Sequence, residues 1–258
     1  SVNVSGKGPD VILVPGLVSS GDVWNDTVKQ LSPTHRVHVV QVGGFAGAPA
    51  GVNGEEGALK ALTDEVAAYA AKLDHPAIIG HSLGGLIALE VAEAKPDAVS
   101  RVMAVDALPF YPLIMAPTAT IEMVKPSAAM MRSRVIAQTD AQYAAGAPKT
   151  AASLVKSEAG QALVTKWSIA SDRKTAAQMM YDDMITDARP QLGAIKAKLT
   201  VVYAYDAVMG GQAEVDGLYK SAYAGVPSAM LKRVDGSYHF VMLDQPAAFA
   251  KEVDTFLK

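Results

Sequence analysis

Pro76 to Leu86 reads Pro-Ala-Ile-Ile-Gly-His-Ser-Leu-Gly-Gly-Leu, and the order of its parts decides the fold. A short apolar run, Ala77 to Ile79, meets Gly-His-Ser-Leu-Gly without a spacer, and Leu83 to Ala94 then has helical composition. Strand, sharp turn and helix therefore succeed one another around Ser82. A serine hydroxyl titrates far above neutral pH, so it attacks a carbonyl only when a base takes its proton and donors receive the developing charge. Gly80 and Gly84 let strand and helix come close around a serine held in a strained backbone conformation, and the Leu83 N–H at the helix start then faces the reacting oxygen. A bare Gly-x-Ser-x-Gly arises by accident in roughly one chain in ten of this size, so its surroundings must carry the reading.

The 258 residues are 50% hydrophobic and 19% charged, enough for one well-buried α/β core. A net charge of −3 and scattered Lys and Arg, with no basic run interleaved with aromatics, argue against nucleic acid. No apolar run approaches the roughly 18 residues that span a bilayer. The absence of cysteine excludes disulfides, thiolate metal sites and a Cys nucleophile. With a first residue of Ser1 instead of Met, that absence favours a periplasmic or secreted protein over the cytoplasmic alternative.

Outward from the centre, Val11 to Val14 is a continuous apolar run, as in a strand buried on both faces of a parallel sheet. Pro15 to Trp24 follows as a loop, with Ser20 or Asp22 able to cap a helix running to Leu31. Further strands are expected at Val37 to Val42, Val99 to Val105, Leu199 to Tyr205 and Ala229 to Val234. Gly43 to Gly54 is a Gly/Ala-rich loop. Helices are expected from Glu55, where Leu59, Leu62, Val66, Tyr69 and Leu73 form one stripe, and over Gln212 to Ala224 and Pro246 to Leu257. Strands alternating with helices give a mostly parallel central sheet with helices on both faces, whose ligands bind at the carboxyl ends of the strands.

Between Pro109 and Pro190 no strand-like run occurs. The expected division is a core of residues 1–108 and 191–258 with a helical lid at 109–190. The lid region holds seven of the eleven methionines, at 115, 123, 130, 131, 179, 180 and 184, and as a group they favour a deformable apolar pocket wall.

Five histidines are candidates for the base: 35, 38, 75, 81 and 239. His239 alone sits on a loop after a strand, in Gly-Ser-Tyr-His at 236–239, and is the expected general base. Asp206, ending the strand before the one that leads to His239, is the preferred acid to orient the imidazole; Asp106 also caps a strand end and is its competitor. Asp235 and Asp244 are assigned to turn or helix capping.

Together these residues resemble the α/β-hydrolase superfamily, serine esterase-like branch, over nearly the whole chain. The resemblance rests on Pro15-Gly16-Leu17 through Trp24, on Gly80 to Gly85, on the strand ending at Asp206 and on 236–239, in the chain order nucleophile, acid, histidine. Two departures are Pro15-Gly16 where the family usually has His-Gly, and Ala204-Tyr205-Asp206 where it commonly carries a glycine. The resemblance implies an oxyanion hole from the Leu17 and Leu83 N–H groups, catalysis by Ser82, His239 and Asp206, and no metal or cofactor. A serine at 82 argues against the branches with a carboxylate nucleophile. A substrate pocket is expected from Gly16, Val18, His81, Met115, Met180, Met184 and Tyr238. The implied reaction is hydrolysis of a small-molecule carboxylic ester by a monomer or homodimer. Acyl transfer, carbon–carbon bond hydrolysis, hydroxynitrile-lyase-like chemistry and a small-molecule receptor are the alternatives.

Overall fold

Alternate residues of the short apolar strands feed two separate cores, as the two-residue period of a strand requires. In the computed structural model, which describes residues 1–258, Ile12, Val14, Ile78 and Val102 enter one core, while Val11, Leu13, Ile79 and Met103 enter the other. The sheet between them has seven strands: β1 (Val2–Gly6), β2 (Asp10–Val14), β3 (Arg36–Val40), β4 (Ala77–His81), β5 (Arg101–Val105), β6 (Lys198–Tyr205) and β7 (Met230–Asp235). Their order is β1-β3-β2-β4-β5-β6-β7, with only β1 antiparallel. Helices α2 (Ala58–Ala70), α3 (Leu83–Ala94) and α8 (Gln212–Ala222) contribute to the first core. The second takes residues from α1 (Asn25–Leu31), α9 (Val241–Asp244) and α10 (Pro246–Phe256), with Trp24 fully buried beside Phe249.

Two differences from the sequence reading have local causes. β1 has no apolar run to reveal it, since Asn3 to Gly6 are exposed, and it pairs antiparallel with β3. Helix α2 begins at Ala58, because Gly57 takes φ 78 and breaks the turn before it.

Between β5 and β6 come α4 (Ile121–Ala137), α5 (Asp140–Leu154), α6 (Glu158–Ala170) and α7 (Arg173–Ile185), with no strand. The insertion packs on the start of α2 and on the loop leaving β3. Asp182 Oδ2 accepts from the Leu59 N–H at 3.1 Å, and Ser171 Oγ accepts from the Ala46 N–H at 2.8 Å. No helix is long and apolar enough to cross a membrane.

The register brings β4 and β5 to the same level. His81 pairs with Val105, so Ser82 and Asp106 are the next residues on neighbouring strands. β5 and β6 start level, Arg101 opposite Lys198, yet β5 has five residues and β6 eight. At about 3.3 Å per residue, the longer strand carries Asp206 roughly 10 Å past the level of Asp106.

The backbones of β4 and α3 meet closely at Gly80. A Cβ on Gly80 would lie 2.0 Å from the Gly84 carbonyl oxygen and 2.6 Å from Gly85 N. Backbone cannot yield as a side chain can, so Gly80→Ala should cost at least about 3 kcal/mol or abolish folding, measured by urea denaturation.

Candidate active site

Ser82 sits at the junction of β4 and α3 with φ 53 and ψ −122, a conformation that L residues rarely adopt. The Val105 carbonyl accepts its N–H at 2.9 Å, and Gly85 N–H donates to its own carbonyl at 2.8 Å. The serine side chain caps no helix N–H and is half-buried, which leaves its hydroxyl available. Leu83 opens α3, so its N–H has no intrahelical acceptor. The loop after β2 lies directly against this turn: a Cβ on Gly16 would come within 3.1 Å of Ser82 Cβ, and one on Gly84 within 2.3 Å of the Val14 carbonyl. Leu17 and Val18 thus leave β2 beside Ser82, and Val18 takes φ 52. Asp106, with φ 45, is a third strained residue at this edge.

The acid facing His239 is Asp106, which corrects the assignment to Asp206. His239 Nδ1 lies 2.7 Å from Asp106 Oδ2. The other carboxylate oxygen, Oδ1, accepts from Ala204 N–H and Tyr219 O–H, both at 2.9 Å, so the group is fixed from three sides. Burial, reinforced by Asp106, pushes the Tyr219 hydroxyl well above its ordinary range and keeps it a donor. With Nδ1 committed to a carboxylate, the lone pair of His239 falls on Nε2.

Asp206 has other partners. Its Oδ2 pairs with Lys156 Nζ at 2.5 Å, and Oδ1 accepts from Val208 N–H. These bonds hold its carboxyl below the usual range, the lysine contributing most. Lys156, from the α5–α6 connection, also rests over the Tyr238 ring, and its N–H donates to Asp244. Asp244 accepts from Tyr238 N–H as well, the capping role expected of it. His38 belongs elsewhere, buried between Asp10 and Tyr69.

Several expected pocket residues are placed differently. His81 is fully buried behind His239, with Nε2 donating to the His239 carbonyl at 3.0 Å. Met115 is 61% exposed. Met184 is buried with Ala128 and Tyr181 inside the helical insertion. Met123, Met130 and Met131 are exposed and Met179 joins the main core, so the methionines do not form one wall. Gly16 is buried against the Ser82 turn, while Val18, Met180 and Tyr238 are half-buried.

One group escaped the sequence reading. Asp183 on α7 is half-buried and forms no hydrogen bond or ion pair, yet it lies near enough to Tyr111 and His239 for their charges to be felt. Burial raises its carboxyl to about 7; Glu90 adds to the rise and His239 opposes it. An aspartate in an otherwise unremarkable helix carries no sequence signal of this position.

A family model described as the alpha/beta hydrolase family matches residues 11–252. The pimeloyl-[acyl-carrier protein] methyl ester esterase of Aeromonas hydrophila is 37% identical over 112 residues, 43% of this chain and 42% of that protein. The chain thus matches under half the length of that relative. Polyketide synthase ThaQ of Burkholderia thailandensis is 28% identical over 98% of this chain, but that match covers only 12% of the synthase. The crystal structure of the enol-lactonase from Burkholderia xenovorans LB400 superposes with a TM-score of 0.80 at 17% identity, covering 100% of this chain and 95% of that one. At that identity the likeness is one of fold.

The raised Asp183 carboxyl has a consequence for stability. Its folded value, about 7, exceeds its ordinary 3.8, so the native state binds more protons than the unfolded one between those values and stability falls as pH rises through them. Glu93, also raised to about 7 by burial, adds the same slope to wild type and variant alike. Asp183→Asn should therefore match wild type near pH 4 and be progressively more stable than it up to pH 8. Urea midpoints across that range test this, and parallel curves would contradict it.

Proposed function

The chain belongs to the alpha/beta hydrolase family, and on that premise we propose that it is a serine hydrolase of small to medium hydrophobic carboxylic esters. The observation that carries this reading is the 2.7 Å contact between His239 Nδ1 and Asp106 Oδ2 at the strand edge that also holds the strained Ser82. His239 Nε2 takes the Ser82 proton as Oγ attacks the ester carbonyl. The N–H groups of Leu17 and Leu83 receive the oxyanion. His239 then gives the proton to the departing alcohol, and water, activated by the same nitrogen, releases the acid from the acyl-enzyme. Asp106 holds the ring in the correct tautomer and offsets the positive charge it gains.

The helical insertion, residues 109–190, serves as a cap whose inner side, with Gly16, Val18, Met180 and Tyr238, borders the acyl or alcohol group. Names of relatives support ester chemistry: an esterase among the sequences and an enol-lactonase among the folds. The match of nearly the whole chain to part of a polyketide synthase supports a second reading, in which the acyl-enzyme passes its acyl group to an acceptor other than water. Product analysis with an added alcohol or thiol separates the two: ester or thioester product indicates transfer, free acid alone hydrolysis.

Ser82→Ala should abolish turnover of a short-chain chromogenic ester while leaving the thermal transition intact; undiminished turnover overturns the mechanism. The two aspartates give a sharper comparison. Asp106→Asn should lower kcat by about 10⁴-fold by favouring the wrong imidazole tautomer. Asp206→Asn should leave kcat/KM within about fivefold, since it removes only a partly exposed ion pair. The reverse ranking in steady-state kinetics would return the acid to Asp206.

A further inference from the structure

The reaction asks two things of His239: a ring oriented by Asp106, and a backbone that holds the ring within reach of Ser82. The second is not met by secondary structure, because His239 lies on the connection between β7 and α9. Its N–H finds no protein acceptor, and its carbonyl accepts from one donor, His81 Nε2 at 3.0 Å. Since the partner is a carbonyl, Nε2 must carry the proton, leaving a lone pair on Nδ1.

That Nδ1 is buried without a partner. It abuts the loop after β2, where a Cβ on Gly16 would sit 2.9 Å from it. The ring lies 4.6 Å, centroid to centroid, from both His239 and Phe240. His81 also immediately precedes Ser82 in the chain. One fully buried side chain therefore touches the base, the nucleophile turn and the oxyanion loop. An orphaned acceptor is costly inside a protein, and an apolar ring could fill the same space without it. What an apolar ring lacks is the N–H that His81 directs at the His239 carbonyl.

Resting on the serine hydrolase reading above, we propose that His81 is a positioning residue: as a neutral imidazole it anchors the backbone of His239 through the Nε2–H···O=C bond and so keeps the base aligned with Ser82. Neutrality is part of the role. A charged ring 4.6 Å away would oppose the positive charge that His239 must take up when it accepts the serine proton. Burial, with His239 alongside, holds His81 well below the ordinary imidazole range and keeps it uncharged.

Packing and hydrogen bonding make opposite predictions for two substitutions. His81→Phe keeps the planar bulk and loses the donor; His81→Gln loses the ring but can present an amide N–H near the position of Nε2. For a positioning residue, Phe should lower kcat roughly 10- to 100-fold with little change in KM, and Gln should recover most of it. A packing role predicts that Phe is tolerated and Gln is not.

The decisive measurements are kcat and KM on a chromogenic ester, the rate of phosphonate labelling of Ser82 followed by peptide mapping, and the low-field proton resonance of the His239–Asp106 hydrogen bond. The resonance should broaden or vanish in His81→Phe and persist in His81→Gln. A folded His81→Phe with wild-type kcat and an unchanged resonance overturns the inference, as does a Gln variant worse than Phe in both. Wild-type protein whose Ser82 resists phosphonate would instead sink the hydrolase reading, while the resonance still decides whether His81 holds His239.

Discussion

The close approach of β4 to α3 is the constraint on which the rest of the structure depends. The bare Cα of Gly80 lets the backbones of β4 and α3 meet, that of Gly84 lets α3 approach the end of β2, and the turn between the two glycines holds Ser82 at φ 53. That strain projects the serine hydroxyl from the edge of the sheet and leaves the Leu83 N–H free at the start of a helix. Burial stabilises the turn against it: β4 is buried along its whole length, and α3 supplies Leu83, Leu86, Ile87 and Leu89 to the core beneath. Strain of this kind, of order 1–3 kcal/mol per residue, persists only where surrounding structure over-determines it.

The second organising fact is strand length. Sheet register sets Ser82 and Asp106 level on adjacent strands, whereas the three additional residues of β6 take Asp206 beyond them. Two aspartates that each follow a strand are thereby separated into different jobs. Asp106, locked by Tyr219, Ala204 and His239, faces the imidazole. Asp206 meets Lys156 and ties the helical insertion to the strand edge. The strained backbones of Val18, Ser82 and Asp106 gather at the ends of β2, β4 and β5, so departures from comfortable geometry mark this edge as clearly as the side chains do. Ala46 and His75, also at positive φ, show that such strain alone does not define a site.

Around His239, support comes from both its side chain and its backbone. Asp106 fixes Nδ1, and His81 holds the carbonyl of the same residue from within the core. Asp183 stands on the insertion, a carboxyl without a partner near the His239 imidazole. The surroundings of His239 are therefore more polar than the methionine content of the insertion suggests, because most of those methionines face solvent or the insertion's own interior.

Much of this was open to reading from the chain itself. Continuous apolar runs such as Val-Ile-Leu-Val at 11–14 have one physical meaning, burial on both faces of a parallel sheet, and Gly-His-Ser-Leu-Gly placed straight after such a run identifies the turn, its serine and the helix that follows. His239 stood out because it was the one histidine on a loop after a strand. These are local properties: a period, a spacing, a residue type with few alternatives. Which of Asp106 and Asp206 meets His239, the place of His81 behind that residue instead of in the pocket, the presence of β1 and the unpaired carboxyl of Asp183 were decided only in the tertiary structure. Each depends on where segments distant in sequence come to lie, and neither strand length relative to a neighbour nor the side of a turn on which a ring packs is encoded in the pattern of any one segment.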